Sequence, residues 1–301
     1  MKTKEIVKRA GTLVRPFRVT DGRSFRMKDV DPRYARSVKK DRAKIEKMCK
    51  ENIELLTKLQ EKLYAGSKFG VLLIFQARDA AGKDSAIKRV MSGINPQGCN
   101  VFSFKTPSKE ELAHDYMWRC LQRSPRRGQI AIFNRSYYEE ALVVRVHPEL
   151  LQHQNLPEHL VTKEIWQHRF QDFRSHERFL MRQGIVVVKF YLHISKKEQK
   201  KRFLERLDKP EKNWKFSAGD IKERKFWKEY ENAYEQVIRH TATPQAPWYA
   251  IPADKKWFAR AVVSAAIVDA LGSLNLGFPR TSTARKQELA RARRELMKPG
   301  T

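Results

Sequence analysis

Between residues 45 and 63 the apolar side chains of Ile45, Met48, Ile53, Leu55, Leu56, Leu59 and Leu63 recur at helical spacing, so this segment is expected to form an amphipathic helix lying on a core. Beyond it the period changes. Short unbroken apolar runs at Val71 to Phe75, Asn100 to Phe104, Ile130 to Phe133, Ile185 to Leu192 and Trp248 to Ile251 predict strands buried on both faces. Helical patterns separate them: Lys109 to Gln122, Thr162 to Arg182, and Ser195 to Leu207 opening on a Ser cap. Strands alternating with helices predict an α/β fold, a parallel sheet flanked by helices.

After the fourth strand, Asp208 to Arg239 mixes charge with Trp214, Phe216, Phe226, Trp227, Tyr230 and Tyr234. Two readings stay open for it, a mobile helical lid or a helical hairpin that packs its aromatics into the core. A last core helix is expected over Lys256 to Leu274, with Trp257, Phe258, Val262, Val263, Ala266, Ile267 and Leu271 on one side, and residues 281–301 read as a solvated helical tail. The expected organisation is an extended basic arm over 1–42, one domain over 43–279 with a lid at about 196–240, and a tail over 280–301.

Charge sharpens the picture. The 301 residues carry 62 Lys and Arg against 34 Asp and Glu, a net charge of +28, and the first fifty hold 17 basic against 6 acidic residues. So large an imbalance implies a polyanionic partner. No stretch approaches the roughly 18 apolar residues of a membrane span, and the basic start has no apolar signal region, so neither insertion nor secretion is expected. Three cysteines without a CxxC spacing point away from a disulfide framework or a zinc site and towards a reducing cytoplasm.

The most informative stretch is VLLIFQARDAAGKDSAIKRV, residues 71–90. A strand ends in a small-residue turn and Gly82-Lys83 opens a helix, so backbone N–H groups, the positive end of the helix and a mobile ammonium would meet phosphates there. This is the physics of a P-loop. Against GxxxxGK[ST] the spacing is kept, with Ala77 for the first Gly and Asp84 for Ser or Thr. Asp79 inside such a turn would repel phosphates unless a divalent cation bridged them, which points to a magnesium site; the plainer alternative is a polar turn capped by Asp79 and Gly82.

The strand ending at Phe133 is followed by Asn134, Arg135, Ser136, Tyr137, Tyr138, Glu139 and Glu140, at the carboxyl end where open α/β sheets bind ligands. Asn134 stands where P-loop enzymes usually hold a metal-directed Asp, and Arg135 could clamp a phosphate or pair with Glu139. Tyr137 and Tyr138 suit packing better than chemistry. The helix after the fourth strand, Ser195 to Arg206, carries several cations per turn, continued by Lys209, Lys212 and Lys215. That is where nucleotide-kinase-type phosphotransferases place a closing lid.

Taken together, QARDAAGKDS, Ile94 to Gly98, FNRSYYEEALVVRVHP, KFYLHISKKEQKKRFLERL, KNWKFSAGDIKER and APWYAIPADKKWF resemble the polyphosphate kinase 2 family, and its class III branch most. The likeness runs from about Arg26 to Pro279. It implies a thymidylate-kinase-like P-loop fold and transfer of the terminal phosphoryl of inorganic polyphosphate to AMP and ADP, and to guanine nucleotides, with magnesium or a manganese substitute.

Carried over, the resemblance implies Asp79 and Asn134 as metal-associated, and Asp79, Lys83, Asn134 and Arg135 as catalytic. Phosphate contacts would come from Ala80, Ala81, Gly82, Lys83, Asp84, Ser85, Lys88, Arg135, Arg178, Lys201, Arg202 and Arg206, and nucleotide contacts from Glu139 and Tyr138. The family commonly forms dimers or tetramers. Where relatives often read QAMDAAGKDGT this chain has Arg78, Ser85 and Ala86, and of an INxFE-like box only Glu177 survives in Phe173 to Glu177. Two other readings compete: an ATP-dependent nucleoside monophosphate kinase, which would not explain the charge, and a nucleic-acid-binding protein, for which no recognised motif appears.

Overall fold

The computed structural model describes residues 3–298; the first two residues of the arm and the last three of the tail lie outside them. In chain order they form α1 (Thr3–Val14), β1 (Arg18–Val19), α2 (Arg42–Gly66), β2 (Gly70–Ala77), α3 (Lys83–Val90), β3 (Cys99–Ser103), α4 (Lys109–Ala113), α5 (Trp118–Leu121), β4 (Ile130–Asn134), α6 (Glu139–Val146), α7 (Ile165–Arg182), β5 (Ile185–His193), α8 (Lys196–Asp208), α9 (Pro210–Asn213), α10 (Ala218–Glu223), α11 (Trp227–Thr241), β6 (Trp248–Pro252), α12 (Lys256–Gly272) and α13 (Thr283–Leu296).

One sheet runs in the order β1-β6-β5-β2-β4-β3, all parallel except β1, which pairs antiparallel with β6. The centre is β2, where Val71 faces Ile130 on one side and Val186 on the other. Its period-two alternation divides the core. Val71, Leu73 and Phe75 enter a cluster with α1, α2, α3 and α12, while Leu72 and Ile74 enter a second cluster with α6, α7 and α11. The order reverses at β2, which places a crevice at the carboxyl ends of β2 and β4.

The five expected strands are present, with two refinements. β3 is an edge strand, so its residues are largely exposed rather than buried on both faces. β1 is two residues long, too short for any period to register. The helix expected over 109–122 is broken into α4 and α5. Ser108 and Glu111 close a capping box on the first, and the Asp115 carboxylate accepts from the Met117 and Trp118 amides to start the second.

The basic arm is not extended. α1 packs on α12 with Ala10 and Val14 buried, and a Cβ on Gly11 would stand 2.8 Å from Asp269 Oδ1, so the helices approach too closely there for a side chain. Ile6, Val7, Ala10, Leu13 and Val14 carry that stripe. In the segment after β5 the packed-hairpin reading holds for α11. α11 buries Ala233, Tyr234, Val237 and Ile238 in the body, whereas α8 to α10 overhang the crevice and leave Trp214 exposed. α13 is the expected solvated tail, with no buried residue. Among the described residues no helix is long and apolar enough to cross a membrane.

Candidate active site

The chain leaves β2 at Ala77, turns through Arg78 to Gly82 and enters α3 at Lys83. Ala80 (φ +60°) and Gly82 (φ +102°) both take left-handed backbone, and at Gly82 that conformation would strain any residue with a Cβ. Ala77 still belongs to the strand, paired with Leu192, so the turn needs no glycine there. The loop lies between the carboxyl end of the strand and the start of the helix, where an anion site forms.

Lys83 reaches across the crevice and donates its Nζ to Asn134 Oδ1 at the end of β4. Asn134 Nδ2 in turn donates to Asp84 Oδ1 at 3.0 Å. The amide at the end of the strand thus faces the carboxylate that replaces the template's Ser or Thr. The carboxylate has changed sides of the crevice, and hard oxygens remain on both. Burial lowers the pKa of Lys83, and the neighbouring Asp84 opposes that fall.

Arg135 also sits in left-handed backbone (φ +64°), with its amide donating to Phe75 O at 3.0 Å. Its guanidinium meets Asp79 at 3.1 Å and Glu139 at 3.6 Å, so it makes the pairing with Glu139 and a second one with the loop. Glu139 raises the guanidinium's pKa and Asp79 adds to the rise. Burial raises the pKa of Glu139 against the pull of Arg135. Lys83, Asn134 and Asp84 form one bonded group and Asp79, Arg135 and Glu139 a second, joined through the adjacent Asn134 and Arg135 at the end of β4.

Other expected site residues fall elsewhere. Tyr138 is fully buried and donates its hydroxyl to Glu177 at 2.7 Å, beside Lys189, so it faces the core and not a nucleotide. Arg178 lies on the solvent side of α7, because Phe173, Glu177 and Leu180 take the side that meets the sheet. Arg202 is buried and spent on backbone: it donates to the carbonyls of Ala80, Ala81, Ala253 and Asp254 and pairs with Glu198. It holds the phosphate loop from behind. Arg206 is engaged by Lys215 O and Asp220, while Lys201 and Lys88 are exposed. The Ser85 hydroxyl donates to Gly82 O within the turn, beside the small residues Ala80 and Ala81.

Beside the Asp79–Arg135 pair a cavity of about 300 Å³ opens under α10 and α11, lined by Arg78, Glu139, Asp220, Trp227, Tyr230 and Tyr234 among others. Arg78 stacks its guanidinium 3.9 Å from the Trp227 ring and donates to the Trp227 carbonyl, joining the loop to the start of α11. Sequence reasoning missed Arg78, Tyr230 and Tyr234 as lining residues. The i, i+4 spacing of the two tyrosines was the only signal for them.

Among the described residues no cluster of three or more His, Cys, Asp and Glu gathers. The oxygens at the mouth are the carboxylates of Asp79 and Asp84 and the amide oxygen of Asn134, of which the expected pair is Asp79 and Asn134. Such an all-oxygen pair fits a magnesium-type ion, which takes one or two protein oxygens and completes its shell with substrate phosphates and water.

Residues 37–276 match the family model described as Polyphosphate kinase 2. The chain is 47% identical over 287 residues to the ADP-polyphosphate phosphotransferase of Rhodopseudomonas palustris, covering 94% of this chain and 98% of the relative. It is 43% identical over 272 residues to the AMP/ADP-polyphosphate phosphotransferase of Meiothermus ruber, covering 90% and 97%. The crystal structure of polyphosphate kinase 2 from Arthrobacter aurescens superposes with a TM-score of 0.83 at 35% identity, over 93% of this chain and 96% of that one.

Proposed function

This chain belongs to the polyphosphate kinase 2 family, and from that premise we propose that it transfers the terminal phosphoryl of polyphosphate to AMP and ADP, with guanine nucleotides as further acceptors. It is a phosphotransferase that phosphorylates nucleotides from polyphosphate. The observation that carries the finer reading is the group of Lys83, Asn134, Arg135 and Asp79 at the mouth of a P-loop, in a chain of net charge +28. The polyphosphate end lies in the turn of Ala80 to Ser85, and the acceptor lies in the cavity beside Glu139.

In the transfer, an oxygen of the acceptor phosphate attacks the terminal phosphorus of polyphosphate in line. The bond to the bridging oxygen breaks, and the shortened polyphosphate leaves with the electron pair and its charge. Lys83 and Arg135 face the charge that develops, and the loop amides are preorganised for it. Asp79 and Asn134 would hold magnesium, or manganese in its place, which would supply charge neutralisation to the reacting phosphates. The overhang of α8 to α10 excludes water that would otherwise hydrolyse the donor. In-line attack needs no covalent enzyme intermediate, and because the acceptor phosphate is already largely ionised it needs no proton acceptor.

We place the reaction in the cytoplasm, as the cysteine spacing suggests, and in a homo-oligomer of two or four subunits, as the family resemblance implies. The test is to incubate the protein with magnesium, long-chain polyphosphate and AMP, ADP or GMP in separate tubes, beside a Lys83→Ala control. ADP and then ATP formed from AMP is the expected result. Absence of product from every acceptor, with folded protein and varied metal, would overturn the reading.

A further inference from the structure

α13 is unlike every other long helix of the chain, because none of its residues is buried and it lies beyond the stretch matched by the family model. Between 283 and 296 it carries five Lys and Arg against two Glu, a net charge of +3. Arg285 pairs with Glu288, while Lys286, Arg291, Arg293 and Arg294 are all exposed. A helix with no buried residue is not retained by core energetics.

Its position is defined by the helix before it. Lys256, at the start of α12, lies beside the phosphate loop, where a Cβ on Gly82 would meet it at 3.9 Å. The seventeen residues of α12 then carry the chain about 25 Å away at 1.5 Å per residue. Gly277 passes the end of α2, its carbonyl 3.5 Å from where a Cβ on Gly66 would stand, at the end of the sheet where β2 begins. Gly277 therefore lies at the end of the sheet opposite the catalytic crevice, and α13 starts six residues beyond it.

We propose that α13 is a second binding site for polyphosphate, holding the polymer at the edge of the molecule opposite the crevice where its terminal phosphoryl reacts. The inference rests on polyphosphate being the donor. Charge complementarity names the occupant: a linear polyanion matches a bare helix with cations around it, and each cation neutralised releases counterions. Its exposed apolar residues are Leu289, Leu296 and Met297, too few and too spaced for the buried core of a stable subunit contact. Because the sites are so far apart, only a long polymer reaches both.

The test uses the full chain with Lys286→Gln, Arg291→Gln, Arg293→Gln and Arg294→Gln together. These positions are exposed and Gln is a good helix former, so folding is preserved. Initial rates are measured with tripolyphosphate and with long-chain polyphosphate over a range of salt. The expected result is a KM for the long polymer raised several-fold, with its salt slope reduced by up to roughly three for four cations, while kcat and the tripolyphosphate KM stay unchanged. Equal rises for both donors, or no change for either, would overturn the second site and leave the kinase reading standing. So would unchanged kinetics with a smaller oligomer in light scattering, which would assign α13 to a subunit contact. If the unsubstituted chain turned over neither donor, the functional reading itself would fall, and the second site with it.

Discussion

Arg202 Nη1 stands 2.8 Å from the carbonyl oxygen of Ala81, so the first helix of the overhang is tied to the back of the phosphate loop. The same guanidinium also reaches Ala80, Ala253 and Asp254. It joins three segments remote in sequence: the loop after β2, α8 and the loop after β6.

Arg202→Ala leaves these buried carbonyls without a donor, and unsatisfied buried groups cost about 1–3 kcal/mol each. Denaturation should show a loss of at least about 2 kcal/mol, with turnover falling alongside. Arg202→Lys keeps the charge but not the fork and should recover only part of the stability. A fully active, fully stable Arg202→Ala protein would show that the loop holds its shape unaided.

Lys83→Ala removes the ammonium that meets Asn134 at the crevice mouth. Phosphoryl transfer should fall roughly a hundred- to a thousand-fold, the magnitude typical of losing one preorganised electrostatic donor. The circular dichroism spectrum should be unchanged. Near-normal turnover in the folded variant would remove Lys83 from the reaction.

Asp79→Asn separates two roles of one carboxylate, the pairing with Arg135 and the proposed hold on the metal. Titrating magnesium against rate should show a higher half-saturating concentration than in the unsubstituted chain. An unchanged metal titration and rate would limit Asp79 to its ion pair.

Lys189, in the middle of β5, donates to Glu177 at 2.6 Å with both side chains essentially fully buried, and Tyr137 and Tyr138 complete the cage. Lys189→Met strands a buried carboxylate, which costs about 3–5 kcal/mol. Adding Glu177→Gln should return most of it, read as a denaturant midpoint. If the double variant were no better than the single one, the pair would not be the reason for the loss.

Burial pushes the pKa of His193 down to about 3, aided by Arg78, and burial pushes that of His176 down to about 4. Both lie below the ordinary 6.5 of histidine, so in that range the unfolded chain binds the extra protons. Their contribution is complete above about pH 6.5 and is lost as pH falls, towards 4 for His176 and 3 for His193. Denaturant unfolding at stepped pH should show stability declining through this window, and His193→Gln should flatten the decline. An identical pH slope in that variant would mean that His193 titrates alike in both states.

Local pattern alone determined the five parallel strands, the long helices α7 and α8, the P-loop turn with Gly82 and Lys83, and the solvated tail. Each depends on neighbours in sequence: an apolar run, a cap, a tight turn. It also marked Asp79, Asn134 and Arg135 as polar groups at strand ends. The basic arm misled because net charge masks a stripe: Ile6, Val7, Ala10 and Val14 are few among many cations, yet they suffice once α12 offers a face.

Only the tertiary structure decided how the cations are used, because rotation about a helix and the meeting of distant segments leave no local trace. Arg202 and Lys201 are adjacent, yet one is buried beneath the loop and the other exposed. Arg178 points to solvent because its neighbour Glu177 is drawn to Lys189. Arg78 and Trp227 lie 149 residues apart and meet because the sheet order brings the start of α11 over the end of β2. Periodicity states which face of a helix is apolar; it does not state what the folded chain sets against the other face.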